Sequence, residues 1–143
     1  MWRFWFGPRR EPVKFVYLTG DQSQALEVKR LAEPGFELVA VESSVGTALE
    51  AAARTGARVV LTEAGPHGAG WRDVVAAARK HTPALAVVVV LDSFEGAEWA
   101  EIIRNRAYDV LLRPLRRESF TATLAGAEQS TAGVRRAPAS GRT

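Results

Sequence analysis

Arg58-Val-Val-Leu-Thr-Glu63-Ala-Gly-Pro-His-Gly-Ala-Gly-Trp71 is the stretch that decides the fold. Val59 to Leu61 is a β-branched apolar run too short for a buried helix, and it ends in Thr62 and a carboxylate, Glu63. A glycine- and proline-rich loop follows, and then Trp71, Val74, Val75 and Ala78 recur at helical spacing. The order is strand, loop, helix. In parallel α/β sheets the loops beyond the carboxyl ends of the strands carry ligands and chemistry, so Glu63 is the first candidate functional residue.

The same alternation extends on both sides. Val13 to Leu18 is a strand, stopped by the turn cluster Thr19-Gly20-Asp21, whose Asp21 suits a helix cap. Apolar residues at 25, 28, 31 and 32 predict a helix over 22–33, ended by Pro34-Gly35. Phe36 to Val41, interrupted by Glu37, reads as an edge strand. Ser43 or Ser44 caps a helix bearing Val45, Ala48, Leu49 and Ala52 and closed by Gly56. Leu85 to Leu91 is the strongest strand; Trp99, Ile102 and Ile103 mark a fourth helix, with Trp71 and Trp99 both expected in the core. Tyr108 to Leu112 is a fifth strand, broken by Arg113-Pro114, and Phe120 with Leu124 gives a last helix.

Five strands alternating with five helices predict a parallel sheet covered on both faces, in the flavodoxin-like order 2-1-3-4-5 with the polar second strand at one edge. The divisions are an aromatic-basic extension over 1–12, one domain over 13–128, and a tail over 129–143 expected to be disordered.

Composition excludes several classes. Of the formal charge of +3, Arg3, Arg9, Arg10, Arg135, Arg136 and Arg142 with Glu11 contribute +5, so the body of the chain is mildly acidic. No nucleic-acid surface on the core is implied. The absence of cysteine excludes disulfides and thiolate metal sites, and no apolar run approaches the roughly 20 residues that span a bilayer. The expected location is the cytoplasm. Trp2, Phe4, Trp5 and Phe6 among arginines are read as an extension or as packing onto their own domain, ahead of a membrane contact by residues 2–6.

The order of landmarks over 13–128 resembles the receiver domain of bacterial two-component response regulators. Gly65-Pro66-His67-Gly68-Ala69-Gly70, with Pro66 and Gly70 as its landmarks, is similar to the receiver loop, and Tyr108-Asp-Val-Leu-Leu-Arg113-Pro114 to its closing motif. The resemblance implies an acidic pair after the first strand, which falls here on Thr19 and Gly20, leaving Asp21 one position late. It puts the phosphoacceptor on Thr62 if Pro66 anchors the alignment, or on Glu63 if the strand end and Trp71 do; Glu63 is favoured. The switch hydroxyl falls at Asp92-Ser93, the lysine is Arg113, and the switch aromatic is replaced by Val110.

These departures imply a degenerate, CheY-like pseudo-receiver in which Arg113 pairs with Glu63, Asp92 or both. The implied role is non-enzymatic signalling through a protein partner, or a homodimer, on the face of strand four, helix four and strand five. No cofactor is expected, with Mg²⁺ entering only if the site is competent. The alternatives are a weakly competent Mg²⁺-dependent phosphoacceptor using Glu63, and a flavodoxin-like binder of a small ligand or nucleotide.

Overall fold

The computed structural model describes residues 11–65, 70–94 and 96–140, with side chains as far as Thr131. The aromatic residues at 2–6 lie outside these, as do Pro66 and His67. Five parallel strands, β1 (Val13–Leu18), β2 (Phe36–Glu42), β3 (Val59–Glu63), β4 (Ala86–Leu91) and β5 (Asp109–Leu112), lie in the order β2-β1-β3-β4-β5. Between and after them run α1 (Ala25–Ala32), α2 (Val45–Thr55), α3 (Trp71–Lys80), α4 (Gly96–Arg104) and α5 (Arg117–Ser140). This is the expected order. Every residue of β3 and β4 is buried, whereas no residue of β2 is fully so, which is the signature of central and edge strands.

Two apolar layers cover the sheet. Val16, Leu18, Val60, Val87, Val89 and Leu91 face α2, α3 and Ile102 of α4. On the other side Phe15, Tyr17, Val59, Leu61, Val88 and Val90 meet α1 and α5, where Phe15 and Phe120 stack edge to face at 5.9 Å.

The helix ends follow from their residues. Ser44 caps α2 by accepting a hydrogen bond from the Thr47 amide, and Gly56 ends it in the left-handed region at φ 82°. A Cβ at Gly56 would meet no neighbour, so Gly56→Ala carries only the left-handed strain. We expect it to lose about 1 kcal/mol of stability, read from the urea midpoint.

Two expectations need correction. α5 does not stop near residue 129 but runs to Ser140. Small residues continue its packing without a large apolar side chain: Ala127 is buried and Thr131 is 3% exposed. The hydroxyls of Ser130 and Thr131 bond back to the carbonyls of Ala127 and Glu128, so neither opposes the helix. Trp99, expected in the core beside Trp71, is instead 42% exposed and packs edge to face on Phe94. α4 buries only Ile102, so its turn carrying Trp99 and Ile103 looks outward over β5.

Candidate functional site

Side chains alternate along a strand, and the parallel pairing of β1 with β3 sets Tyr17 beside Leu61. Two residues further on, the same face carries Thr19 and Glu63. Glu63 is 3% exposed and lies at the carboxyl end of the sheet, where its charge must be compensated. Oε1 accepts from the Thr19 hydroxyl at 2.9 Å. Oε2 accepts from the Tyr17 hydroxyl and from Arg113 Nη2, the latter at 2.9 Å.

Arg113 extends the β5 ladder by one residue, its amide donating to the Leu91 carbonyl. From there to β3 is two strand spacings, about 10 Å, which only a long side chain spans. Asp92 stands on the way. Its Oδ1 accepts from Arg113 Nη1 at 3.1 Å, and Arg113 Nη2 also donates to Gln24 Oε1 at 3.0 Å. The guanidinium's planar fork therefore binds a buried and an exposed carboxylate together, with side-chain exposures of 4% for Glu63 and 72% for Asp92. The extra methylene of glutamate narrows the gap that Arg113 has to cross.

Thr62, the other candidate, points to the opposite face and bonds the Leu18 carbonyl at 3.3 Å. Of the two, Glu63 is the one that meets Thr19, Tyr17 and Arg113. Asp21 serves as the expected helix cap: its Oδ1 accepts from the Ser23 amide and its Oδ2 from Gln24 Nε2. Through Gln24, which also accepts from Arg113, it is linked to the cluster. Gly20 brings no side chain, and Gly70 ends the loop at φ 80° as the cap of α3. Ser93 is exposed and, with Asp92, Glu98, Ala64 and Gly65, lines a cleft of about 170 Å³ above the strand ends.

Tyr17 and Gln24 were missed in the sequence. Tyr17 reads as one more apolar residue of a buried strand, although it stands two positions before Thr19 and so shares its face. Gln24 lies in the turn before α1 with no motif to mark it.

Burial, and then the hydrogen bond and field of Glu63, push the Tyr17 phenol well above its ordinary value. It remains a neutral donor. Burial pulls the Arg113 guanidinium down, but its hydrogen bond to Glu63 and the fields of Tyr17, Glu63 and Asp92 outweigh this, so the net shift is upward. The cluster is an ion pair with the Tyr17 phenol on one shared oxygen.

A magnesium ion requires several oxygen ligands, mainly carboxylates and water. The donors here do not fit it. Thr19 and Gly20 occupy the places after β1, the oxygens of Asp21 are turned to Ser23 and Gln24, and a guanidinium lies 2.9 Å from Glu63. Among the described residues no three His, Cys, Asp or Glu side chains gather as a metal site, and no helix is long and apolar enough to cross a membrane.

No protein-family model matches the chain, and no curated protein matches it. Solved structures do. The response regulator receiver domain protein from Clostridium thermocellum is 19% identical with a TM-score of 0.71, over 85% of this chain and 98% of its own. The signal receiver domain of an HD domain-containing protein from Pseudomonas fluorescens Pf-5 is 16% identical with a TM-score of 0.69, over 87% and 99%. The two-component response regulator of the LuxR family from Aurantimonas sp. SI85-9A1 is 17% identical with a TM-score of 0.68, over 87% and 99%. The chain has the fold of a response-regulator receiver domain.

Proposed function

We propose that this receiver-fold chain is a signalling module of a two-component system that is not switched by aspartyl phosphorylation and acts by binding a protein partner or a second copy of itself. One observation carries the reading: both oxygens of Glu63 are already engaged, by Thr19, Tyr17 and Arg113. An attacking carboxylate needs a free oxygen in line with phosphorus, and a displacement of about 1 Å can cost a hundredfold in rate. With Arg113 in contact, Glu63 is held as a fixed charge, the role that a phosphorylated aspartate and its lysine would otherwise share. Mg²⁺ has no part in this reading.

The binding face is the surface of β4, α4 and β5. Phe94, Trp99, Val110 and Leu112 line a cleft of about 120 Å³ there, room for one apolar side chain, and Phe94, Trp99, Ile103 and Leu112 are all exposed.

Incubation with acetyl phosphate and Mg²⁺, followed by intact-mass measurement, tests the reading. The expected result is an unchanged mass; an adduct of one phosphoryl group on Glu63 would overturn it.

A further inference from the structure

All five strands run the same way, so the chain enters β1 and returns along α5 at one pole of the domain, the end opposite Glu63. Thr131 of α5 stands beside Leu85 and Ala86 at the start of β4, and the helix continues for nine residues beyond it, about 13 Å. The charge follows this geometry. Of the formal +3, Arg3, Arg9 and Arg10 with Arg135, Arg136 and Arg142 supply +6, which leaves −3 on residues 11–131. Both basic segments attach at the same pole.

The helices between the strands end there too, with Arg54, Arg79, Lys80 and Arg104 in the last turns of α2, α3 and α4. Arg106 follows at φ 78°, the left-handed region where glycine is usual, so this turn presents a cation at a backbone cost. All five are exposed, and none is in an ion pair among the described residues. Glu11, Glu33, Glu37, Asp109 and Glu128 stand at the same end, so the excess comes chiefly from the two terminal segments. The first of these also carries Trp2, Phe4, Trp5 and Phe6, each with about 150–250 Å² to bury. Packing on their own domain would use the cleft at this pole, walled by Leu85, Ala86, Ala107 and Tyr108. At about 330 Å³ it is the size that holds one small ligand, not four rings.

We propose that this pole docks on an anionic lipid surface: the aromatic side chains of residues 2–6 enter the boundary between headgroups and acyl chains, and the cations meet the lipid phosphates. Attachment of this kind grows with buried apolar area and with attraction to anionic lipid, and one short segment supplies both. A nucleic acid would be met by cations along a groove. Here the cations are spread over three helix ends, and aromatic residues outnumber arginine four to one within residues 2–6. The Glu63 cluster, a strand's length away at about 17 Å, stays clear of the surface.

Sedimentation of the full chain with vesicles of phosphatidylcholine, alone or with about one-third phosphatidylglycerol, tests the proposal. The chain should bind the anionic vesicles more than about tenfold more tightly than the neutral ones and release from them at about 1 M salt. Arg9→Ala/Arg10→Ala should weaken binding about 25-fold and Lys80→Ala about fivefold, whereas Arg116→Ala, before α5 at the other pole, should leave it unchanged. Trp2→Ser/Trp5→Ser should weaken it about tenfold without moving the urea midpoint. No preference for the anionic vesicles, or equal losses from Lys80→Ala and Arg116→Ala, would overturn the proposal. So would a lowered midpoint in Trp2→Ser/Trp5→Ser, which would assign the aromatic residues to their own domain. Displacement from the vesicles by excess single-stranded oligothymidine would overturn it as well, assigning the pole to nucleic acid.

Discussion

Arg113→Met should destabilise the protein by about 3 kcal/mol at neutral pH, with the urea midpoint lowered and the slope of the transition unchanged. The substitution keeps the length and apolar stem of the side chain and removes the charge, leaving Glu63 buried without its cation. Breaking a buried pair from one side costs about 3–5 kcal/mol. The lower end applies because Glu63 retains the donors Tyr17 and Thr19, and because the Arg113 side chain is itself 20% exposed. The double variant Arg113→Met/Glu63→Gln should recover much of the loss, since a neutral amide needs no cation and two hydroxyls remain beside it. Strict additivity would mean that the pair contributes no interaction of its own. A loss below about 0.5 kcal/mol in the single variant, the size of an ordinary surface change, would mean that Glu63 carries no charge needing compensation.

This stability does not establish that the pair is the most stabilising solution at these positions. Apolar replacements of equal volume are often as good, because desolvation offsets most of the Coulomb attraction. What the pair adds is definition. A guanidinium held by Glu63, Gln24 and Asp92 has one orientation, and it joins the ends of β3 and β5 across β4 with the turn before α1. The carboxyl ends of this sheet are organised around one buried ion pair.

The fold was legible because alternation of apolar runs and helical patterns survives without knowledge of which face is which. β4 reads as Ala-Val-Val-Val-Val-Leu, buried throughout, and Glu37 already marked β2 as an edge. Burial on both faces also hid Tyr17: in a strand covered on both sides a phenol and a phenylalanine give the same pattern, and only the partner strand shows that this one meets a carboxylate. Arg113 could be placed near Glu63 or Asp92 through the resemblance to receiver domains, whose lysine and phosphoacceptor fall at these two strand ends. Trp99 could not be placed, because helical periodicity shows that a residue shares a face but not that the face is covered. The continuation of α5 past residue 129 was hidden for the converse reason: Thr131, a small polar residue, is buried there, and only large apolar residues mark a helix face in the sequence.

Tyr17→Phe should cost about 2 kcal/mol at neutral pH, the worth of a hydrogen bond to a charged acceptor that is then left a donor short. Its pH dependence reports how far burial and Glu63 together favour the neutral phenol. In the unfolded chain the phenol ionises near pH 10, whereas in the folded protein burial, and then Glu63, hold its value higher. Above pH 10 the folded state therefore retains a proton that the unfolded state has released, and the derivative of stability with pH is negative. The contribution of Tyr17 is complete below about pH 10 and is lost as pH rises toward the folded value, by about 1.4 kcal/mol per unit. The wild type should fall faster than Tyr17→Phe in alkaline solution, and the gap between them should narrow. Tyr108 is exposed and present in both proteins, so it cancels in the comparison. A gap that stayed constant from pH 7 to pH 11 would show that neither burial nor Glu63 raises the phenol in the folded protein.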